Sequence, residues 1–124
     1  MARLILIAML LAALLIVAGC SSGNDKTSSL ADCLTEKGVK MYGAYWCGHC
    51  SNQKKLFGKS FDYVDYIECD ARGNNAQPQL CEAKGIEGFP TWEFPLEDGK
   101  TELVSGELSL REIAFRSGYE LTVE

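Results

Sequence analysis

The sequence predicts a single α/β domain, a mixed four-stranded sheet flanked by helices on both faces, with an extra helix at the N-terminal side. Two observations carry this. An apolar run at 39–45, a helical pattern at 47–57 and a β-branched, aromatic run at 63–69 form a strand–helix–strand unit, whose outer members lie parallel. Further on, Asp98-Gly99 sits between the apolar run 88–94 and residues 100–105, a turn signal that folds the last two strands into an antiparallel hairpin.

The elements follow in chain order. Leu30, Cys33 and Leu34 recur at helical spacing before Gly38, which places a short helix over 29–37. Residues 39–45 are apolar on both alternating faces, as a central strand must be. The helix over 47–57 sets Cys50, Lys54 and Phe57 on one side and ends at Gly58 in a left-handed cap. Residues 70–77 (DARGNNAQ) are a loop, and Pro78 opens a helix capped by Gly85. Ser109 with Glu112 is a capping box and Leu108 with Ile113 a hydrophobic staple, so the last helix starts at Ser109 and stops near Gly118.

Residues 1–19 stand outside the fold. Arg3 is followed by an unbroken apolar run from Leu4 to Val17, short for a membrane span and suited to a secretory signal. The run ends in Val17-Ala18-Gly19-Cys20, which resembles the bacterial lipobox and makes Cys20 the expected lipidation site. Ordinary signal cleavage and an uncleaved anchor are the alternatives; each leaves the domain on the extracytoplasmic side. Residues 20–29 are then a flexible polar tether and 30–124 the folded domain. The expected location is the bacterial cell envelope, lipid-anchored, where disulfides persist. Twelve Lys and Arg against seventeen Asp and Glu exclude nucleic acid as the main partner.

The chemistry is carried by Tyr45-Trp46-Cys47-Gly48-His49-Cys50, two thiols three positions apart at a helix start. The unpaired N–H groups there favour thiolate, the reactive form of cysteine. A zinc site would need a second close pair, whereas Cys69 and Cys81 are twelve positions apart, so no bound metal or other cofactor is expected beyond a redox-active Cys47–Cys50 disulfide. Cys69 and Cys81 read as a structural disulfide bracing the loop, or as a second redox pair acting as a relay. Cys33 reads as a buried small apolar residue. His49 is the one histidine of the chain. Between two cysteines it can stabilise the Cys47 thiolate when protonated, which would make the disulfide a stronger oxidant.

Trp46-Cys47-Gly48-His49-Cys50 followed by Gly88-Phe89-Pro90-Thr91 resembles the thioredoxin fold, and the tetrapeptide is that of protein disulfide isomerases. Over residues 39–119 the words Met41-Tyr42-Gly43-Ala44-Tyr45-Trp46-Cys47, Gln53-Lys54-Lys55-Leu56-Phe57-Gly58, Glu68-Cys69 and Glu87-Gly88-Phe89-Pro90-Thr91-Trp92 are similar to the thioredoxin-like domain associated with bacterial and plant homologues of vitamin K epoxide reductase. The resemblance implies a thiol–disulfide oxidoreductase acting on exported protein thiols and disulfides, reoxidised by a quinone-linked membrane enzyme of that type. It implies Cys47 as the exposed attacking thiolate and Cys50 as the resolving thiol. Pro90 would be a cis proline facing the disulfide, Phe89 would offer backbone to an extended substrate, and Trp46 would form an apolar rim. The sequence departs from reducing thioredoxins at Met41, where a buried acid is common, which favours oxidation or isomerisation over reduction. Phe89 also stands where a β-branched residue is usual. A reductant for envelope cysteines or cytochrome assembly, and a metal-binding lipoprotein, are the competing functions.

Overall fold

The computed structural model describes residues 26–121. The expected signal segment 1–19, Cys20 and the first part of the expected tether lie outside the described residues. Four strands form one sheet: β1 (Lys40–Gly43), β2 (Asp65–Glu68), β3 (Thr91–Pro95) and β4 (Thr101–Ser105), in the order β2-β1-β3-β4. β1 runs parallel to β2 and antiparallel to β3, and β3 runs antiparallel to β4. The helices are α1 (Lys26–Glu36), α2 (Gly48–Phe57), α3 (Pro78–Ala83) and α4 (Leu110–Ser117), with a 3-10 helix at Gly58–Tyr63. This is the expected mixed sheet of a thioredoxin-like fold.

Alternation along β1 divides the core. Met41 faces the larger cluster, built with Leu30 and Leu34 of α1, Cys50 and Phe57 of α2, and Ile113 and Ala114 of α4. Tyr42 faces the smaller one with Ile67 and Cys81 of α3. Both are fully buried, as expected for a strand covered on both sides. β3 repeats the pattern: Trp92 and Phe94 stack at 6.3 Å on the first face, while Glu93 lies on the second. There Tyr42 Oη donates to Glu93 Oε2 at 2.5 Å and Lys84 Nζ to Oε1 at 2.6 Å, satisfying a buried charge.

The helix ends follow the expected chemistry. Ser109 Oγ accepts from the Glu112 N–H at 3.2 Å, and Gly118 closes α4 in the left-handed conformation at φ 69°. Leu108 and Ile113 are buried together. The tether assignment needs a correction: residues 26–29 are the first turn of α1. Its polar composition gave no helical period, but Leu30, Ala31, Cys33 and Leu34 bury that helix against the core, and packing overrides local propensity. Thr27 Oγ1 and Ser60 Oγ, 3.2 Å apart, join its start to the 3-10 helix. Cys33 is buried, as expected.

Candidate active site

The thiol pair sits where β1 hands over to α2. Ala44 O accepts from the Cys47 N–H at 3.0 Å, turning the chain so that Cys47, at φ −76° and ψ 116°, becomes the N-cap of α2. Its sulfur takes the place of a capping oxygen and accepts the Cys50 N–H at 3.1 Å. Negative charge that develops on this sulfur during exchange therefore meets an aligned N–H and the positive end of the helix. Both cysteines are free thiols here. Cys47 is not openly exposed, as the sequence suggested, but 7% accessible against 1% for Cys50. The order of access is the expected one, narrowed by the rim above it.

That rim is built from three segments. The Phe89–Pro90 bond is cis and Pro90 is buried. The turn sets Phe89 O 3.7 Å from Cys47 Sγ, within reach of its S–H. Thr91 Oγ1 donates to Gly88 O at 2.7 Å and lies 2.9 Å from Ser105 Oγ, tying this turn to β4. Trp46, 58% exposed, meets the Phe89 ring edge to face at 6.1 Å. Its indole N–H donates to Asp70 Oδ2 at 2.7 Å, and Arg72 grips both oxygens of Asp70 at 3.0 and 2.7 Å. The Arg72 bonds, with that of Trp46, hold the Asp70 carboxyl well below the usual carboxylate range. By sequence Asp70 and Arg72 are plain loop residues. A single Asp in a Gly- and Asn-rich stretch carries no signal that it anchors a tryptophan 24 positions earlier.

Gly48 is exposed at the first turn of α2, where a side chain would meet open space. His49 is also outside: its ring Nδ1 lies 2.6 Å from Glu107 Oε1, and Asn52 Nδ2 donates to the same oxygen at 3.2 Å. These bonds, His49 first, hold Glu107 below its ordinary value. Glu107 was missed because it comes 58 residues later, on the turn before α4. On the inner side of α2, buried Gln53 donates to Leu108 O at 2.9 Å and accepts from Leu108 N at 2.7 Å and Trp92 Nε1 at 3.3 Å. The helix that carries the thiols is thus fixed to the turn that carries Glu107.

Cys69 and Cys81 form the disulfide expected of them, joining the end of β2 to α3 on the far side of the sheet from α2. Among the described residues no group of three or more His, Cys, Asp or Glu side chains is arranged to hold a metal ion, and no helix is long and apolar enough to cross a membrane.

Strand order, a cis proline beside a helix-capping Cys-Gly-His-Cys, and one sulfur buried beneath the other give a thioredoxin-like fold whose paired thiols are set for thiol–disulfide exchange. The chain is 37% identical over 105 residues, 82% of its length, to thiol-disulfide oxidoreductase LTO1 of Arabidopsis thaliana, and spans 27% of that protein. Among solved structures it is similar to the thioredoxin of Malassezia sympodialis, with 26% identity, a TM-score of 0.46 and coverage of 65% of this chain and 72% of that one. For the thioredoxin of Fasciola hepatica the identity is 22%, the TM-score 0.45 and the coverage 75% and 93%. No family model matches.

Proposed function

We propose that this domain exchanges disulfides with exported proteins through Cys47 and Cys50 from a lipid-anchored position on the outer side of a bacterial membrane. A quinone-linked membrane enzyme of the vitamin K epoxide reductase type then returns the pair to the disulfide. The observation that carries the exchange chemistry is the capping geometry: Cys47 Sγ accepts the Cys50 N–H at 3.1 Å and lies 3.7 Å from Phe89 O of the cis Phe89–Pro90 turn, on which Trp46 packs. A substrate sulfur entering there meets Cys47 first. Cys50 stands one turn deeper, placed to resolve the mixed disulfide.

Support for the oxidising direction is the place of His49 in the chain, between the two thiols. Support for the membrane partner is the sequence resemblance over 39–119. A shared membrane would raise the effective concentration of the two proteins for one another.

Replacing Cys50 by Ser tests the exchange. It removes the resolving thiol, so client proteins or small thiols are expected to accumulate as mixed disulfides on Cys47, and to vanish when Cys47 is also Ser. Absence of any adduct on Cys47 would overturn the proposal. The anchor is tested by mapping Cys20 and Cys33 by mass in the mature protein. The thioether formed by lipidation consumes the Cys20 sulfur, so a Cys20–Cys33 bridge in the mature protein would contradict it.

A further inference from the structure

The resolving sulfur has a proton to lose. Burial, then its contact with Cys47, push the Cys50 thiol up to about 12, against the opposing pull of the Ala44 backbone and Lys54. Such a thiol is a poor nucleophile, and an equally poor leaving group in the reverse direction, unless a nearby group takes and returns its proton. β1 offers none, because Met41 and Gly43 are what it presents on this face. The turn at Phe89–Pro90 offers a carbonyl, and the side chain of His49, 76% exposed, is turned out toward Glu107.

The neighbouring strand is different. The parallel register sets Tyr66 beside Met41 and Glu68 beside Gly43, so both point to the α2 face. Gly43 makes room for them. A Cβ there would lie 2.9 Å from Cys50 Sγ, 2.9 Å from Tyr66 Cε2 and 3.1 Å from Tyr66 Oη, so the sulfur and the phenol crowd one point. Tyr66 Oη donates to Glu68 Oε2 at 2.9 Å, and the Asp70 N–H donates to Oε1 at 3.0 Å. Glu68 is 5% exposed. Gly73 folds over it so closely that a Cβ there would come within 2.4 Å of its Cγ. The other buried glutamate, Glu93, is paired with Lys84, whereas among the described residues Glu68 makes no salt bridge. A buried carboxylate without a cation is costly for stability alone, and this one is hydrogen-bonded to the phenol that shares the space over Gly43 with the resolving sulfur.

We propose that Tyr66 and Glu68 handle the proton of Cys50, in place of the acid that Met41 replaces; this rests on the exchange chemistry above. With substrate sulfur bonded to Cys47, the Cys50 S–H passes its proton to Tyr66 Oη as the Tyr66 proton moves to Glu68 Oε2. The Cys50 thiolate attacks Cys47 Sγ. The Cys47–Cys50 bond forms, the bond from Cys47 to the substrate breaks, and its electron pair leaves on the substrate sulfur. The dithiol has then been oxidised and the substrate disulfide reduced by the same two electrons. In the oxidising direction a substrate thiolate attacks Cys47, Cys50 leaves as thiolate, and Glu68 returns the proton through Tyr66. Tyr66 is the group that exchanges the proton with Cys50 in this proposal, while Glu68 acts through it as a positioning residue. The other titratable or charged groups facing Cys50 are Cys47 and Lys54, both of α2, with Lys54 Nζ 3.7 Å over the Tyr66 ring.

Reduced full-length protein mixed with the symmetric disulfide of thionitrobenzoate separates the two steps. One coloured thiolate is released as Cys47 attacks, and a second as Cys50 resolves the adduct. In Glu68→Gln and Tyr66→Phe the first phase should stay within about twofold of wild type, while the second slows about tenfold or more at neutral pH. Wild-type resolution should be nearly independent of pH from about 6 to 8.5, and resolution in the variants should rise about tenfold per pH unit, as expected when hydroxide alone removes the proton. A second phase that keeps the wild-type rate or the wild-type pH profile in either folded variant overturns the proposal. If Glu68→Gln does not fold, Tyr66→Phe decides. Absence of the first phase in the wild type would instead refute the exchange reading itself.

Discussion

At the residue scale the site depends on side chains that are absent as much as on those present. Gly43 is in the sheet because Cys50 and Tyr66 occupy the space above it. Gly43→Ala should therefore destabilise the fold by about 1–3 kcal/mol through overpacking. The check is a urea unfolding midpoint, and an unchanged midpoint would mean the neighbours shift freely. On the proposed oxidising role, His49→Pro should lower the reduction potential, because a side chain that can carry positive charge near the thiols is lost; a glutathione titration giving an unchanged or higher value would contradict this. Cys47 and Cys50 were legible in the sequence because two thiols one helical turn apart at a helix start have a chemical meaning of their own, whereas Trp46, Phe89 and Pro90 were legible only through the family resemblance. Glu107, Asp70 and Glu68 were not, since each acquires its role from a residue that tertiary packing or strand pairing brings to it, and an isolated acid on a loop or strand looks the same whatever it faces.

At the element scale the strands and the starts of α2, α3 and α4 were readable from period and capping, while lengths and the start of α1 were not. β1 is four residues rather than the seven-residue run, and the stretch after Gly58 continues as a 3-10 helix. Its Phe61 packs edge to face on Phe57 at 6.0 Å and on Tyr66 at 5.9 Å, a reward that no local pattern announces. The tie of α3 to the sheet has a pH signature. Burial opposes the charge on Glu93, but hydrogen bonds from Lys84 and Tyr42 outweigh it, so its carboxyl titrates below the ordinary value. A native pKa below the unfolded value of about 4.3 gives stability that is present above that pH and lost as pH falls through the native pKa. Glu93→Gln should cost about 1–3 kcal/mol at neutral pH and flatten the acid limb of stability against pH. Denaturant unfolding across that limb checks this, and an unchanged slope would contradict it.

At the scale of the whole molecule, a two-faced sheet separates the work of its cysteines. The reactive pair lies on the α2 face and the Cys69–Cys81 bridge on the α3 face. Replacing both bridge cysteines by Ser should lower the unfolding free energy by about 3 kcal/mol, as loss of a short closed loop does, while exchange at Cys47 continues. If exchange with a protein substrate stops although the variant is folded, the bridge is a relay and not only a brace. The redox couple itself is tested most directly by equilibrating the protein in glutathione buffers, alkylating the free thiols and mapping Cys47 and Cys50 by mass. The expected result is one reversible two-electron step, about 30 mV per tenfold change in the ratio of forms, with a midpoint above the roughly −270 mV of thioredoxin. Cys47 and Cys50 that never interconvert between dithiol and disulfide across that range would contradict the account.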